Sequence, residues 1–211
     1  SLATSSAEST PPHHLPAQLT SFIGREAEVA TLRHLLTRRA DGVRLLTLTG
    51  PGGSGKTRLA LEVGERLLHA QPAPFAHGIY AVLLAAVTEP ALVLPAIATA
   101  LGLKVQGNTT ALLALKSWLQ DKELLLLLDN VEQVAAAAPQ LAELLLAAPR
   151  LTLLVTSRKL LSIYGEHEFP VLPLALPERE DWHQPESLAH YAAVHLFMTR
   201  SRAVNPTFTL T

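Results

Sequence analysis

The 211 residues include no cysteine, which rules out a disulfide framework and thiolate-bound metal. Charge of one sign is lacking too: 17 lysines and arginines stand against 18 acidic residues, for a net charge of −1. The only adjacent basic pairs are Arg38-Arg39 and Arg158-Lys159, and without a basic stripe no direct nucleic-acid binding by this chain is expected. Nine histidines contain no H-x-x-x-H pair and read as surface or packing residues. No apolar run near the N-terminus resembles a signal peptide, so a cytoplasmic protein is expected. Between Ile79 and Leu103 the only charge is Glu89, a length sufficient for a membrane span. Thr88-Glu89-Pro90 interrupts it with a helix-start signature, Thr88 as candidate N-cap. The stretch therefore divides into a buried strand, 79–84, and a helix, 90–101, and no membrane contact is expected.

Apolar residues are plentiful, 48% of the chain, enough for one domain with a full core and a fragment of a second. Residues 1–19 are rich in Ser, Thr and Pro and read as a linker or tail, expected to follow a domain further upstream. Beyond them, helical and strand patterns alternate. Helices are predicted at 25–39, 58–70, 90–101, 109–120, 132–147 (with Pro139 interrupting) and 187–203. In the last of these, Leu188, Tyr191, Val194 and Leu196 share one face. Five strands are predicted, at 43–49, 79–84, 124–128, 151–155 and 168–172. Five consecutive leucines, Leu124 to Leu128, mean burial on both faces and hence a central parallel strand. The fold class is α/β, a mostly parallel five-stranded sheet covered by helices on both sides, with ligands at the carboxyl ends of the strands.

Between the first strand and its helix stand Gly50-Pro51-Gly52-Gly53-Ser54-Gly55-Lys56-Thr57, a full match to the phosphate-loop pattern GxxxxGK[ST] in its required strand–loop–helix context. Gly50, Gly52, Gly53 and Gly55 are expected to take positive φ, so that successive N–H groups turn inward around a phosphate. The helix start adds donors and dipole for an anion. Lys56 is placed to reach the β- and γ-phosphates and the Thr57 hydroxyl to complete a Mg²⁺ shell. Asp129, ending the leucine strand, matches the Walker B position that holds Mg²⁺ directly or through water. The residue after it is Asn130, whose amide can orient water but cannot accept its proton. Glu132 either reaches the site or caps the following helix. Arg158, just past the strand 151–155, lies on the same sheet edge and is suited to bind a γ-phosphate with a forked pair of donors. Phe22-Ile23-Gly24-Arg25-Glu26 reads as a glycine turn before a helix.

In this order, the Phe22–Glu26 turn, the loop GPGGSGKT, the strand LLLLLDN and the strand LTLLVTSR resemble the signal-transduction ATPases with numerous domains (STAND), in particular the NB-ARC-like predicted ATPases of bacterial regulators. The segments 165–177 and 193–197 share the resemblance, which covers 19–211. It implies a P-loop NTPase three-layer α/β/α sandwich of the ASCE/STAND type over 20–178, with 179–211 leading into an absent helical subdomain that would carry a GLPL signature over the adenine. It also implies that Phe22, Ile23, Gly24 and Arg25 lie against the base and ribose. The loop through Lys56, Thr57 and Arg58 would hold ATP or ADP, Thr57 and Asp129 the Mg²⁺, and Arg158 would sense the γ-phosphate. The family's usual second acidic residue is replaced by Asn130. The implied partners are an upstream effector domain and downstream helical repeats, with this segment monomeric and the full-length protein oligomerising on ATP. The expected function is a signalling or transcription-regulating switch with slow Mg-dependent ATP hydrolysis. A small-molecule P-loop kinase is the rival, disfavoured for want of an arginine-bearing lid. A nucleotide-binding scaffold without hydrolysis is another. An AAA+ motor is disfavoured because no arginine finger for a neighbour's site is visible.

Overall fold

A computed structural model describes residues 11–38, 42–105, 107, 109–178, 188 and 190–209. In chain order the elements are β1 (His13–His14), α1 (Glu26–Thr37), β2 (Leu45–Thr49), α2 (Lys56–Leu68), β3 (Ile79–Leu83), α3 (Val93–Ala100), α4 (Ala111–Leu119), β4 (Leu124–Asp129), α5 (Ala138–Ala147), β5 (Leu151–Thr156), β6 (Glu166–Pro170) and α6 (Ala192–Val204). The strands form one sheet in the order β1-β3-β4-β5-β2-β6, and every pairing among the described residues is parallel.

The leucine run of β4 explains the layers. Side chains alternate across a strand, so Leu124, Leu126 and Leu128 pack among α3, α4 and α5, while Leu125 and Leu127 pack among α1 and α2. Helices cover both faces, which gives the three-layer α/β/α sandwich expected. All five strand residues of β2 and all six of β5 are buried as well, as central strands require.

Five expectations are corrected. The sheet has six strands, because His13–His14, inside the segment read as a tail, pairs with Ile79 and Tyr80. These two residues are exposed, and Ile79 N–H donates to the Pro12 carbonyl; the pairing is imposed by a neighbouring edge, not by hydrophobic pattern. The helix from Pro90 begins as a 3-10 turn, Pro90–Leu92, preceded by Glu89 with no side-chain cap, so Thr88 is not its N-cap. The helix after Asp129 is likewise a 3-10 stretch, Val131–Ala137, broken at Val134, with Pro139 in the first turn of α5. Finally, α6 starts at Ala192, with Tyr191 extended before it; Ser187, the predicted start, lies outside the described residues. The last strand is Glu166–Pro170 rather than 168–172, a shift of two that keeps the same residues on each face.

Candidate nucleotide site

β2 delivers the chain to Gly50 at its carboxyl end, and α2 begins at Lys56. Between them Gly50, Gly53 and Gly55 have φ of 146°, 78° and 90°. Gly50 is fixed twice over, since a Cβ there would lie 2.4 Å from the Val171 carbonyl oxygen. Gly52 departs from expectation: it does not take positive φ. A Cβ on it would meet Arg158 Nη2 at 3.6 Å, an ordinary contact distance, so the guanidinium lies over this part of the loop.

The loop's own groups show what it lacks. Lys56 Nζ donates to the carbonyls of Gly50 and Pro51, both at 2.9 Å. Ser54 Oγ is buried with no partner, an arrangement that costs about 1–3 kcal/mol when left unmet. An ammonium resting on neutral carbonyls and an orphaned hydroxyl fit a loop that takes up polyphosphate.

Strand order decides how the metal-type ligands meet. β5 lies between β4 and β2, and its last residue fills the gap. Thr57 Oγ1 and Thr156 Oγ1 both donate to Asp129 Oδ1 at 2.6 Å. Asn130 N–H in turn donates to Thr156 Oγ1 at 2.9 Å, with Asn130 in the left-handed region at φ 66°. One carboxylate oxygen thus ties α2, β4 and β5 together. A hydroxyl and a carboxylate in contact form a hard oxygen set suited to Mg²⁺. Thr156 is a site residue that the sequence did not single out.

Arg158 and Glu132, separate candidates in the sequence, are partners here: Arg158 Nε stands 3.2 Å from Glu132 Oε1. The arginine side chain is 66% exposed and the glutamate 19%, and Glu132 Oε2 is buried without a partner.

Beside the loop is a cavity of about 390 Å³. Phe22, Ile23, Arg25, Ser54 and Arg58 line it. Gly24 does not. A Cβ on it would come within 2.8 Å of the Ala192 Cβ, so this glycine is where α6 rests. Arg25, at φ 67°, is a strut as much as a wall. It pairs with Glu28 at 3.2 Å and donates to the carbonyls of Ser54 (2.8 Å) and Leu172 (2.6 Å). Arg58 reaches back to Gln18 Oε1 and the Thr20 carbonyl. The far wall, assigned by resemblance to an absent subdomain, comes in part from Pro173, Leu174, Leu196 and Arg200 of this chain, with Arg200 donating to the Ser21 carbonyl at 3.0 Å. The Pro173-Leu174 pair stood within the 165–177 segment but had no assigned role.

No helix of the described residues is long and apolar enough to cross a membrane, and no group of three or more His or carboxylate residues able to hold a metal is present among them. The Mg²⁺ set proposed from the sequence is smaller than that, with phosphate and water left to complete it.

An uncharacterized protein of Mycobacterium tuberculosis is 37% identical over 199 residues, 94% of this chain and 45% of its own length. A second protein of that organism, provisionally named an HTH-type transcriptional regulator, is 34% identical over 168 residues, 79% of this chain and 17% of its own. The chain thus spans less than half the length of these curated relatives. Among solved structures, the ORC2 protein of Aeropyrum pernix, determined as ADPNP and ADP complexes, superposes with a TM-score of 0.54 at 20% identity, covering 83% of this chain and 53% of that one; at that identity the likeness is one of fold. The profile described as "AAA ATPase domain" matches residues 21–157, from the turn before Phe22 to the end of β5, and so takes in the loop, Asp129 and Thr156. The narrower NB-ARC likeness finds no counterpart in these matches. The chain is a P-loop NTPase module and belongs to the AAA ATPase domain family.

Proposed function

We propose that this module is an ATP/ADP-dependent switch of the STAND type with slow Mg-dependent hydrolysis, working in the cytoplasm as one part of a larger regulator. The observation that carries the reading is the convergence, at the carboxyl ends of β2, β4 and β5, of the glycine loop, the Thr57–Asp129 contact and Arg158 lying over Gly52. Lys56 would exchange its carbonyl partners for β- and γ-phosphate oxygens, which bear the charge it lacks. Thr57 and Asp129 would hold Mg²⁺, which when bound neutralises charge on the phosphates. Phe22, Ile23 and Arg25, with Pro173, Leu174, Leu196 and Arg200, would enclose the base side.

The switch lies in Arg158. A ligand shifts a conformational equilibrium only through differential affinity for its states, and ADP and ATP differ by the γ-phosphate. In this arrangement Arg158 is held by Glu132, and a γ-phosphate beside Gly52 would compete for it. Release would free Glu132 to accept a proton from the attacking water. The water oxygen then bonds to the γ-phosphorus while the bridging bond to the β-phosphate breaks, giving ADP and phosphate. Glu132 is held by Arg158 until a γ-phosphate takes the arginine, and Asn130 can orient the water but adds no second base, so turnover is slow. The relatives' greater length, and the regulator name of one, support effector and sensor domains elsewhere in the polypeptide.

Calorimetry with ADP and a non-hydrolysable ATP analogue tests this. Arg158→Ala should keep ADP affinity and lose about tenfold in preference for the triphosphate, the worth of one charge-assisted pair. An unchanged preference would remove Arg158 from the sensing role.

A further inference from the structure

At the other pole, where the strands begin, lies a second cavity of about 790 Å³, twice the volume of the base pocket and within the range of small-molecule sites. It is separate from the nucleotide loop. Arg44 and Gly50 flank the two ends of β2, whose five residues at about 3.3 Å each set the poles about 17 Å apart.

Its lining is unusual in charge. Arg33, Arg38, Arg44 and Arg150 face it against a single carboxylate, Glu123, among the described lining residues. The chain as a whole carries −1, so this is a local concentration. The acceptors that hold Arg44 and Arg150 are neutral. Arg44 Nη1 donates to the carbonyls of Leu145 (2.7 Å) and Ala148 (3.2 Å). Arg150 Nη2 donates to the Asp121 carbonyl at 2.6 Å. Arg38 Nη1 is 3.3 Å from the His34 ring nitrogen. Arg33 Nε is buried with no partner at all. Capping of the α5 carbonyls accounts for Arg44 Nη1, but not for the orphaned Arg33 Nε or for four guanidiniums around one space. Neutral carbonyls fix guanidiniums without cancelling their charge, and the remaining N–H groups form the planar forks that match carboxylate and phosphate oxygens. Leu36, Leu67, Pro74 and Phe75 supply an apolar wall.

We propose that this cavity binds a small organic anion bearing two or more carboxylate or phosphate groups, seated by Arg33, Arg44 and Arg150 with its carbon body against Phe75 and Pro74. It is a second ligand site, distinct from the nucleotide pocket.

The test uses Lys56→Ala protein, so that phosphate uptake by the loop is suppressed, titrated calorimetrically with citrate and with inorganic pyrophosphate. Saturable binding of at least one probe is expected, weakened about tenfold or more by Arg33→Gln and by Arg150→Gln, with cooperative melting retained. Binding of citrate alone assigns carboxylates, and of pyrophosphate alone phosphates; either supports the site. Should Arg33→Gln fail to fold, Arg150→Gln, at an exposed position, decides the matter. Absence of saturable binding by both probes, or binding that both substitutions leave unchanged, overturns the proposal.

Discussion

At the carboxyl ends of the strands, Arg25 and Arg158 are paired with Glu28 and Glu132, and Lys56 lies on the carbonyls of Gly50 and Pro51. At the amino ends, Arg44 and Arg150 rest on neutral carbonyls and Arg33 Nε on nothing. On the proposed function the first arrangement is one of exchange: Lys56 and Arg158 each have a holder that a polyphosphate would displace, while Arg25 stays as the strut between Ser54 and Leu172. The second is one of standing readiness, where charge is fixed in place and uncancelled. On these two proposals the same residue type is a switch contact at one pole and a preformed receptor at the other.

The sharpest way to break this comparison is Lys56→Ala, which should weaken ADP and ATP binding by about 100-fold or more while leaving citrate or pyrophosphate binding at the arginine cavity intact. Calorimetry on the same preparation reads both, and a parallel loss would mean that the poles are not independent. Next in size is Gly50→Ala. Its φ of 146° and the 2.4 Å approach of the Val171 oxygen should cost about 2 kcal/mol or more in urea-unfolding stability, because the new methyl has nowhere to go. Glu132→Gln probes the exchange directly. Single-turnover phosphate release should fall about 10- to 100-fold with ADP affinity within about threefold of wild type; unaltered release would exclude Glu132 as the base. The smallest effect is expected from Gly24→Ala. The 2.8 Å encounter with Ala192 should loosen α6, raising its hydrogen exchange and lowering adenine-nucleotide affinity about threefold.

What the sequence disclosed followed locality. The phosphate loop and β4 were legible because each is a contiguous pattern with one physical meaning: glycines before a helix, or leucines buried on both faces. Asp129 was legible because a strand end is a local event. The pairing of Arg158 with Glu132, and the insertion of Thr156 between Asp129 and its neighbours, depend on β5 adjoining β4, and strand order is not written in alternation. The cavity beside the loop joins Ser21 to Arg200, residues whose proximity only the finished fold creates. Gly52 was misjudged for a related reason: glycine permits positive φ without requiring it, and here the backbone does not take it. β1 was hidden because two exposed histidines carry no hydrophobic signature and owe their strand to the edge offered by Ile79 and Tyr80.

The Arg25 guanidinium holds the Ser54 carbonyl and the Leu172 carbonyl at once. This makes it a mechanical coupling that bypasses the core: the phosphate loop and the chain leaving β6 are fastened to one rigid plane. Tension on the polypeptide beyond Leu172 is therefore delivered to the loop backbone through two hydrogen bonds. Under the proposed function, occupancy of the loop is expected to stiffen the backbone at Leu172 through the same two hydrogen bonds.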